Sequence, residues 1–497
     1  MNLKNKKLAK LALTAAVGMG SLLPVNVMAN DHLVKQATLA TQQIDLEAGM
    51  RQLAQQGIIQ GYSDGTMKSE RQVTQAELAK MVVLSLGLKA DATDIKGLDS
   101  KYSKKWYYSY VNTLIALGII KEDAKFQPNA PVTHEELAQM MAKALQRDVK
   151  SVQYWLKDFI SKQNHATRGE TAQLLLISQK SIRQEAAKVV EIKALNKITL
   201  EVKFDAPLTS NDESIEVSAN NFKFDNGLTI VNQPRLKTGS TSTYIVPTTT
   251  QIPGTTYTLT YKGNQAGTFK GNEEKINMNE ARQVSFDTFE VEALKKDGVV
   301  DYGYIISAYS GGRGADAFIL DENNMYQGQP FQIISSLRNR SVTITPEGGE
   351  PMVANYLGFT QSTDGKQEPK FRLPQGVIFK TGVKYTVTSD WTNIKQGTFV
   401  AGEIAALKIN SITQVDDTKL TVTLSEDPMD ELFAFRQIKL IGTDGKELIA
   451  QYELQTRKGV NGTFVLQNGA KLTSGETYKI EPVGQWSTAE GVTLKAK

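Results

Sequence analysis

At 497 residues the chain is longer than one hydrophobic core can serve, and it contains no cysteine, so disulfides and thiol chemistry are excluded. Its 57 basic and 53 acidic residues give a net charge of +4, but residues 1–29 hold four lysines and no acid, which leaves 53 of each beyond them. That balance gives no support to nucleic-acid binding or to an anionic membrane as partner.

The chain opens on the basic run Lys4 to Lys10, then an apolar stretch from Leu11 to Leu23, then Val27-Met28-Ala29. This order is that of a secretory signal cleaved after Ala29, with a mature chain starting at Asn30. No later apolar run reaches the length of a membrane helix. Export without cysteine points to a Gram-positive cell, whose secreted proteins commonly avoid that residue. The 468 residues from Asn30 onward predict three to five domains.

From about Gln36 to Arg183 the apolar residues recur at helical spacing. The word Thr-x-x-Glu opens three of the expected helices: Thr74 to Glu77, Thr133 to Glu136 and Thr167 to Glu170. Thr at the N-cap and Glu three residues on form a capping box, which by itself explains the recurrence. Leu53 to Ile59 and Leu114 to Ile120 precede the first two words, each a helix end stopped by glycine. The turn between them is Gly61-Tyr62-Ser63-Asp64-Gly65-Thr66 in the first copy and the shorter Lys121 to Asn129 in the second. A unit recurring in this way is a repeat module.

These residues resemble the S-layer homology (SLH) repeat: Gly57 to Thr66 and the downstream Thr74-x-x-Glu77 match it together at the family's spacing. The expected module spans 30–185, with repeats near 40–90, 91–148 and 149–183. The third is shortened, because Trp155 lies twelve residues before Thr167 whereas Trp106 lies twenty-seven before Thr133.

What the resemblance implies is a ligand, the secondary cell wall polymer, an anionic glycan that often carries pyruvate ketals. The residue after each Thr sits at the first helical position, where free amides, the helix dipole and a cation would together hold a carboxylate. The family usually has Arg there. This chain keeps it only at Arg168, with Gln75 and His134 in the other copies, which predicts one strong groove near Arg168 and at most one or two weaker ones, or an anchor of lower affinity than a full set would give. For His134 the plainer reading is an exposed helix-start residue. Trp106 and Trp155 match the family's Trp and would stack on a sugar, although an aromatic on an amphipathic helix is more often core. Asp64-Gly65 marks a groove-side turn in the family and otherwise a turn needing positive φ.

After Arg183 the period changes to two. Ile198, Leu200, Val202 and Phe204 alternate with polar residues, as do Leu420, Val422 and Leu424, each run ending in a Pro turn. A second echo, Gly254-x-x-Tyr257, Gly382-x-x-Tyr385 and Gly475-x-x-Tyr478, marks late strands whose tyrosines are core or corner residues. The expected architecture is multidomain: the all-α module, then three all-β immunoglobulin-like sandwich domains near 187–275, 276–402 and 403–497. Ser310 to Ala315 is expected to be a mobile loop in the middle one.

No motif of catalysis appears: the three histidines have no metal spacing, and no nucleophile elbow or phosphate loop is present. The expected protein is therefore not an enzyme and needs no cofactor or metal; calcium enters only through the family resemblance, and no loop demands it. The resemblance implies non-covalent anchoring to wall polymer at a Gram-positive cell surface, with the sandwiches as structural or S-layer lattice modules that contact one another or other S-layer proteins. The alternatives are an anchored adhesin recognising a glycan or protein, and a wall-anchored hydrolase.

Overall fold

The computed structural model describes residues 45–89, 102–121, 126–303, 305, 318–358, 368–428 and 433–497. The leader-like segment 1–29 and the Ser310 to Ala315 loop lie outside the described residues. A helical N-terminal region is followed by a β-rich one, and no described helix is long and apolar enough to cross a membrane.

The helices are α1 (Leu46–Gln55), α2 (Gln75–Leu86), α3 (Tyr108–Ala116), α4 (His134–Leu145), α5 (Val149–Leu156) and α6 (Arg168–Gln179). Gly57 and Gly118, at φ of +75° and +67°, terminate α1 and α3 as their sequence positions predict. The third unit keeps its first helix, α5, and compresses the turn into residues 157–166. One core unites all three units through Leu53, Leu78, Val82, Leu114, Leu137, Met141, Val152 and Leu174.

The residue before each capping threonine joins a closed ring of backbone hydrogen bonds. Val73 N–H donates to the Ala166 carbonyl (3.0 Å), Ala166 N–H to Val132 (2.8 Å), and Val132 N–H back to Val73 (3.0 Å). Each of the three residues is fully buried. The ring sets three helix starts around one pseudo-threefold axis.

The β region begins with β1 (Val189–Asn196), β2 (Thr199–Phe204), β3 (Phe222–Phe224), β4 (Arg235–Leu236), β5 (Thr243–Pro247), β6 (Thr256–Tyr261) and β7 (Asn264–Lys270), with a short helix α7 (Ile215–Asn221) before β3. They make a four-stranded sheet in the order β1-β2-β5-β4 and a three-stranded sheet β3-β6-β7. Phe204, Tyr244, Tyr257 and Leu259 fill the space between them.

Next come β8 (Ile276–Gln283), β9 (Thr288–Val291), the short β10 (Val299–Asp301), β11 (Met325–Tyr326), β12 (Gln329–Pro330) and β13 (Gln332–Ile334), then β14 (Ser341–Pro346), β15 (Met352–Tyr356), β16 (Lys370–Arg372), β17 (Lys384–Thr388), β18 (Thr392–Gln396) and β19 (Thr398–Val400). The chain ends with β20 (Leu407–Gln414), β21 (Lys419–Leu424), β22 (Gln437–Ile441), β23 (Glu447–Tyr452), β24 (Asn461–Leu466), β25 (Thr477–Pro482), β26 (Ser487–Thr488) and β27 (Thr493–Lys495). Two eight-stranded sheets result, β18-β8-β9-β16-β15-β14-β17-β19 and β26-β20-β21-β24-β23-β22-β25-β27, with the same strand permutation. Each closes with a parallel pair, β8 with β18 and β20 with β26. The Pro-ended runs are β2 and β21, and the Gly-x-x-Tyr echoes enter β6, β17 and β25.

The regions are joined by buried polar contacts. Trp155 Nε1 donates to the Gly239 carbonyl (2.8 Å) and Gly239 N–H donates to Ser151 Oγ (2.8 Å), which fastens α5 to the first pair of sheets. Gly239 stands at φ +77°, and a Cβ there would lie 2.6 Å from Ile319. The stretch between β9 and β14 packs Val300, Tyr302, Phe331 and Ile333 onto Ile245 of β5. Between the second and third sets, Arg436 forks onto Asp287 at 2.6 and 2.8 Å, both side chains buried.

Burial pushes the Asp287 carboxyl up, but the hydrogen bonds and charge of Arg436, with Arg372 beside it, outweigh that and hold it below its ordinary value. The pair's contribution is then complete above the unfolded carboxyl value of about 3.9 and is lost as pH falls through the lower folded value. Asp287→Asn should cost about 3–5 kcal/mol in denaturant unfolding near pH 7, since the buried Arg436 loses the charge of the carboxylate it forks onto. The gap between variant and wild type should close only below about pH 4.

Candidate functional site

All three capping boxes form. Glu77 N–H donates to Thr74 Oγ1 and Thr74 N–H to the Glu77 carboxylate (3.3 and 3.0 Å); the matching distances are 3.1 and 2.8 Å for Thr133 and Glu136, and 3.2 and 2.7 Å for Thr167 and Glu170. Their surroundings differ. Thr167 and Glu170 are each 1 % exposed, whereas Glu136 faces solvent.

The threefold ring changes what the helix starts can do. Gln75 and Ala76 N–H donate to the Ala130 and Pro128 carbonyls (3.0 and 3.1 Å), and Arg168 and Gly169 N–H to those of Arg71 and Ser69 (2.8 and 2.9 Å). His134 N–H donates to Asn164 (3.3 Å). The expectation of free amides waiting for an anion is therefore corrected: the neighbouring unit's turn supplies their acceptors.

The side chains at the same position also reach into the next unit. Arg168, 6 % exposed, donates to the carbonyls of Met67 (3.3 Å) and Gln60 (3.2 Å) and pairs with Glu77 (3.4 Å). His134 Nε2 meets Glu170 at 3.0 Å, so it is neither solvent-exposed nor free. Gln75 Oε1 accepts from Gln127 N–H (3.0 Å). Burial pushes the Glu170 carboxyl up, but hydrogen bonds from the Thr167 backbone, His134 and Ser161 hold it below its ordinary value.

Where the third unit meets the first, one concentration of positive charge faces outward. Tyr62 is flanked by Lys68 Nζ at 4.1 Å, the Arg168 guanidinium at 5.4 Å and that of Arg71 at 5.9 Å from its ring centre. Lys68 is exposed and Arg71 half-buried, and Arg71 pairs with Glu77 while Lys68 lies 3.7 Å from Asp64. Asp64 accepts from the hydroxyl (2.7 Å) and N–H (3.0 Å) of Thr66 and, with Gly65 at φ +77°, fixes the turn that holds Tyr62. Three cations against two carboxylates around one aromatic face suit an anionic sugar.

The two tryptophans part company. Trp106 is 56 % exposed and leans edge-on against Tyr107. Trp155 is 6 % exposed and spends its N–H on Gly239, so its expected sugar-stacking role is corrected to a structural one. Neither Lys68 nor Arg71 carries a signal in the sequence, and Tyr62 shows there only as part of a turn.

Residues 47–79 and 99–138 match the S-layer homology domain. The chain carries SLH repeats. Among curated proteins it is 28 % identical over 155 residues to the middle cell wall protein of Brevibacillus brevis and 26 % over 203 residues to the S-layer protein sap of Bacillus anthracis. It is 29 % identical over 103 residues to the cellulosome-anchoring protein of Acetivibrio thermocellus. These alignments cover 26, 34 and 20 % of this chain, and 14, 25 and 23 % of the relatives, so the chain spans a quarter or less of each. The solved N-terminal part of the S-layer protein SbsC is 14 % identical, over 75 % of this chain and 77 % of that one, at a TM-score of 0.18, too low to argue from.

Within the SLH module the caps should differ in worth. Glu170→Ala strands a buried N-cap amide and His134 and should cost about 2–3 kcal/mol, whereas the exposed Glu136→Ala should cost about 0.5–1 kcal/mol. Denaturant unfolding of the two variants checks the order; equal costs would contradict it.

Proposed function

We propose that the SLH module anchors this chain non-covalently to an anionic cell wall polymer, the pyruvylated secondary polymer of a Gram-positive envelope, after export directed by residues 1–29. The observation that carries this reading is the cluster of Lys68, Arg71 and Arg168 around Tyr62. A pyruvate carboxylate fits a guanidinium fork, and the ring it is fused to fits the aromatic face. The SLH match and the names of the relatives support the same placement.

In this reading Arg168 is a positioning residue: it holds the Gln60 and Met67 carbonyls, and with them the Tyr62 turn, while Arg71 and Lys68 meet the polymer. Among the described residues, the other two unit junctions, at Gln75 and His134, bring no comparable charge. Trp106 adds an exposed aromatic face at the second unit.

The β region serves as a structural stalk or S-layer lattice module of three immunoglobulin-like sandwich domains, 187–275, 276–402 and 403–497, without enzymatic activity. Two features support that assignment. The strand order 1-2-5-4 opposite 3-6-7 in the first set is the immunoglobulin order. Each set also has a tyrosine corner, with Tyr257, Tyr385 and Tyr478 accepting from the N–H five residues upstream, Ile252, Lys380 and Thr473, at 2.9, 3.0 and 3.0 Å.

Sedimentation of the exported chain with purified walls tests the anchor. Binding should vanish when the secondary polymer is stripped, and Arg71→Ala should weaken it at least tenfold while Gln75→Ala changes it less than twofold. Retention on bare peptidoglycan, or equal effects of the two variants, would refute the assignment.

A further inference from the structure

Away from the Tyr62 groove, the SLH module, the linker after α6 and the first pair of sheets enclose an open pocket of about 440 Å³. Its charged lining is three arginines, one from each of these segments, against two acids: Arg147 after α4, Arg183 after α6 and Arg235 on β4, with Asp148 and Glu213. Both acids are already engaged. Glu213 accepts from Arg183 (2.6 Å) and the Tyr244 hydroxyl (2.7 Å), and Asp148 caps α5 by accepting from Ser151 N–H and Oγ (both 2.7 Å).

Asp148 and Glu213 therefore act on Arg147 and Arg235 through charge alone, from beyond ion-pair distance. Arg147 donates through Nη2 to the Ser240 carbonyl (2.6 Å) and lies 5.4 Å over the Trp155 ring, and its Nη1 is buried with no acceptor, as is Arg183 Nε. Among the described residues neither Arg147 nor Arg235 has a carboxylate within ion-pair distance. Desolvation without a full set of partners is costly for a cation, and burial accordingly pushes the Arg147 guanidinium below its ordinary pKa, whereas Arg235 is exposed on β4 with the Gln233 side-chain oxygen 2.7 Å from its guanidinium. An anion entering the pocket relieves that cost.

We propose that this pocket is a second anion-binding site, taking one phosphate or carboxylate group borne on a ligand no larger than one or two sugar units, with Arg147, Arg183 and Arg235 as its cationic wall. The volume falls in the range of small-molecule sites, and the guanidinium fork matches either oxyanion. Because the three arginines come from three segments, occupancy also braces the SLH module against the β region. The site shares no residue with the Tyr62 groove.

Calorimetric titration of the exported chain at constant ionic strength, with inorganic phosphate and separately with pyruvate, tests it. Arg71→Ala is the background, so that the groove contributes little. That variant should bind at least one of the two anions saturably, and adding the surface substitution Arg235→Ala should weaken binding at least tenfold. Which anion binds decides between phosphate and carboxylate as the group recognised. No saturable binding of either anion, or equal affinity in the single and double variants, would overturn the proposal.

Discussion

Three backbone hydrogen bonds, running from Val73 to Ala166 to Val132 and back, are the constraint on which the SLH module depends. They are made by main-chain groups in fully buried residues, where an unpaired amide or carbonyl is costly, so no unit can leave the ring without stranding the other two. The ring fixes each capping threonine one residue later and so points three helix starts at the turns of their neighbours. Those turns supply the acceptors for the helix-start amides and bring Arg168 to Gln60, Met67 and Glu77. The Tyr62 groove is a consequence of this closure, since its cations come from two units far apart in sequence.

The same closure explains how a shortened third unit is tolerated. It has lost most of its turn, yet Ala166 keeps its place in the ring and Asn164 still accepts from His134. What the third unit gives up in turn it spends on the β region. Trp155 and Ser151 of α5 grip Gly239, Arg147 reaches Ser240, and the residues between β9 and β14 cover the same junction. Further on, Asp287 and Arg436 tie the second set of strands to the third. Buried pairs of this kind add little net stability but penalise every arrangement that separates them.

Much of the local structure was legible in the sequence. The three Thr-x-x-Glu words are the three capping boxes, the glycines after α1 and α3 stop those helices, and the alternation around Leu200 and Leu420 lies on strands β2 and β21. These are local signals with a period or a cap of their own. The ring left no such trace, because it consists of backbone groups on ordinary apolar residues. Trp155 was misleading for a related reason: its spacing on the helix is the same whether it faces a ligand or Gly239. Arg71 and Lys68 follow no pattern, and only the fold shows that they share Tyr62 with Arg168. The matching burial of Trp391 and Trp486, which donate to Ser341 and Gln437 at the starts of β14 and β22, was hidden because no repeated word surrounds them.

Amide hydrogen exchange at Val73, Val132 and Ala166 tests the ring most directly. If the ring holds the module together, the three amides are protected to the same degree as the centres of α2, α4 and α6 and lose protection together as denaturant rises. Exchange of Ala166 at the rate of a surface loop while Val73 and Val132 stay protected would mean that the third unit is only loosely attached, and the account of the groove built upon it would fail.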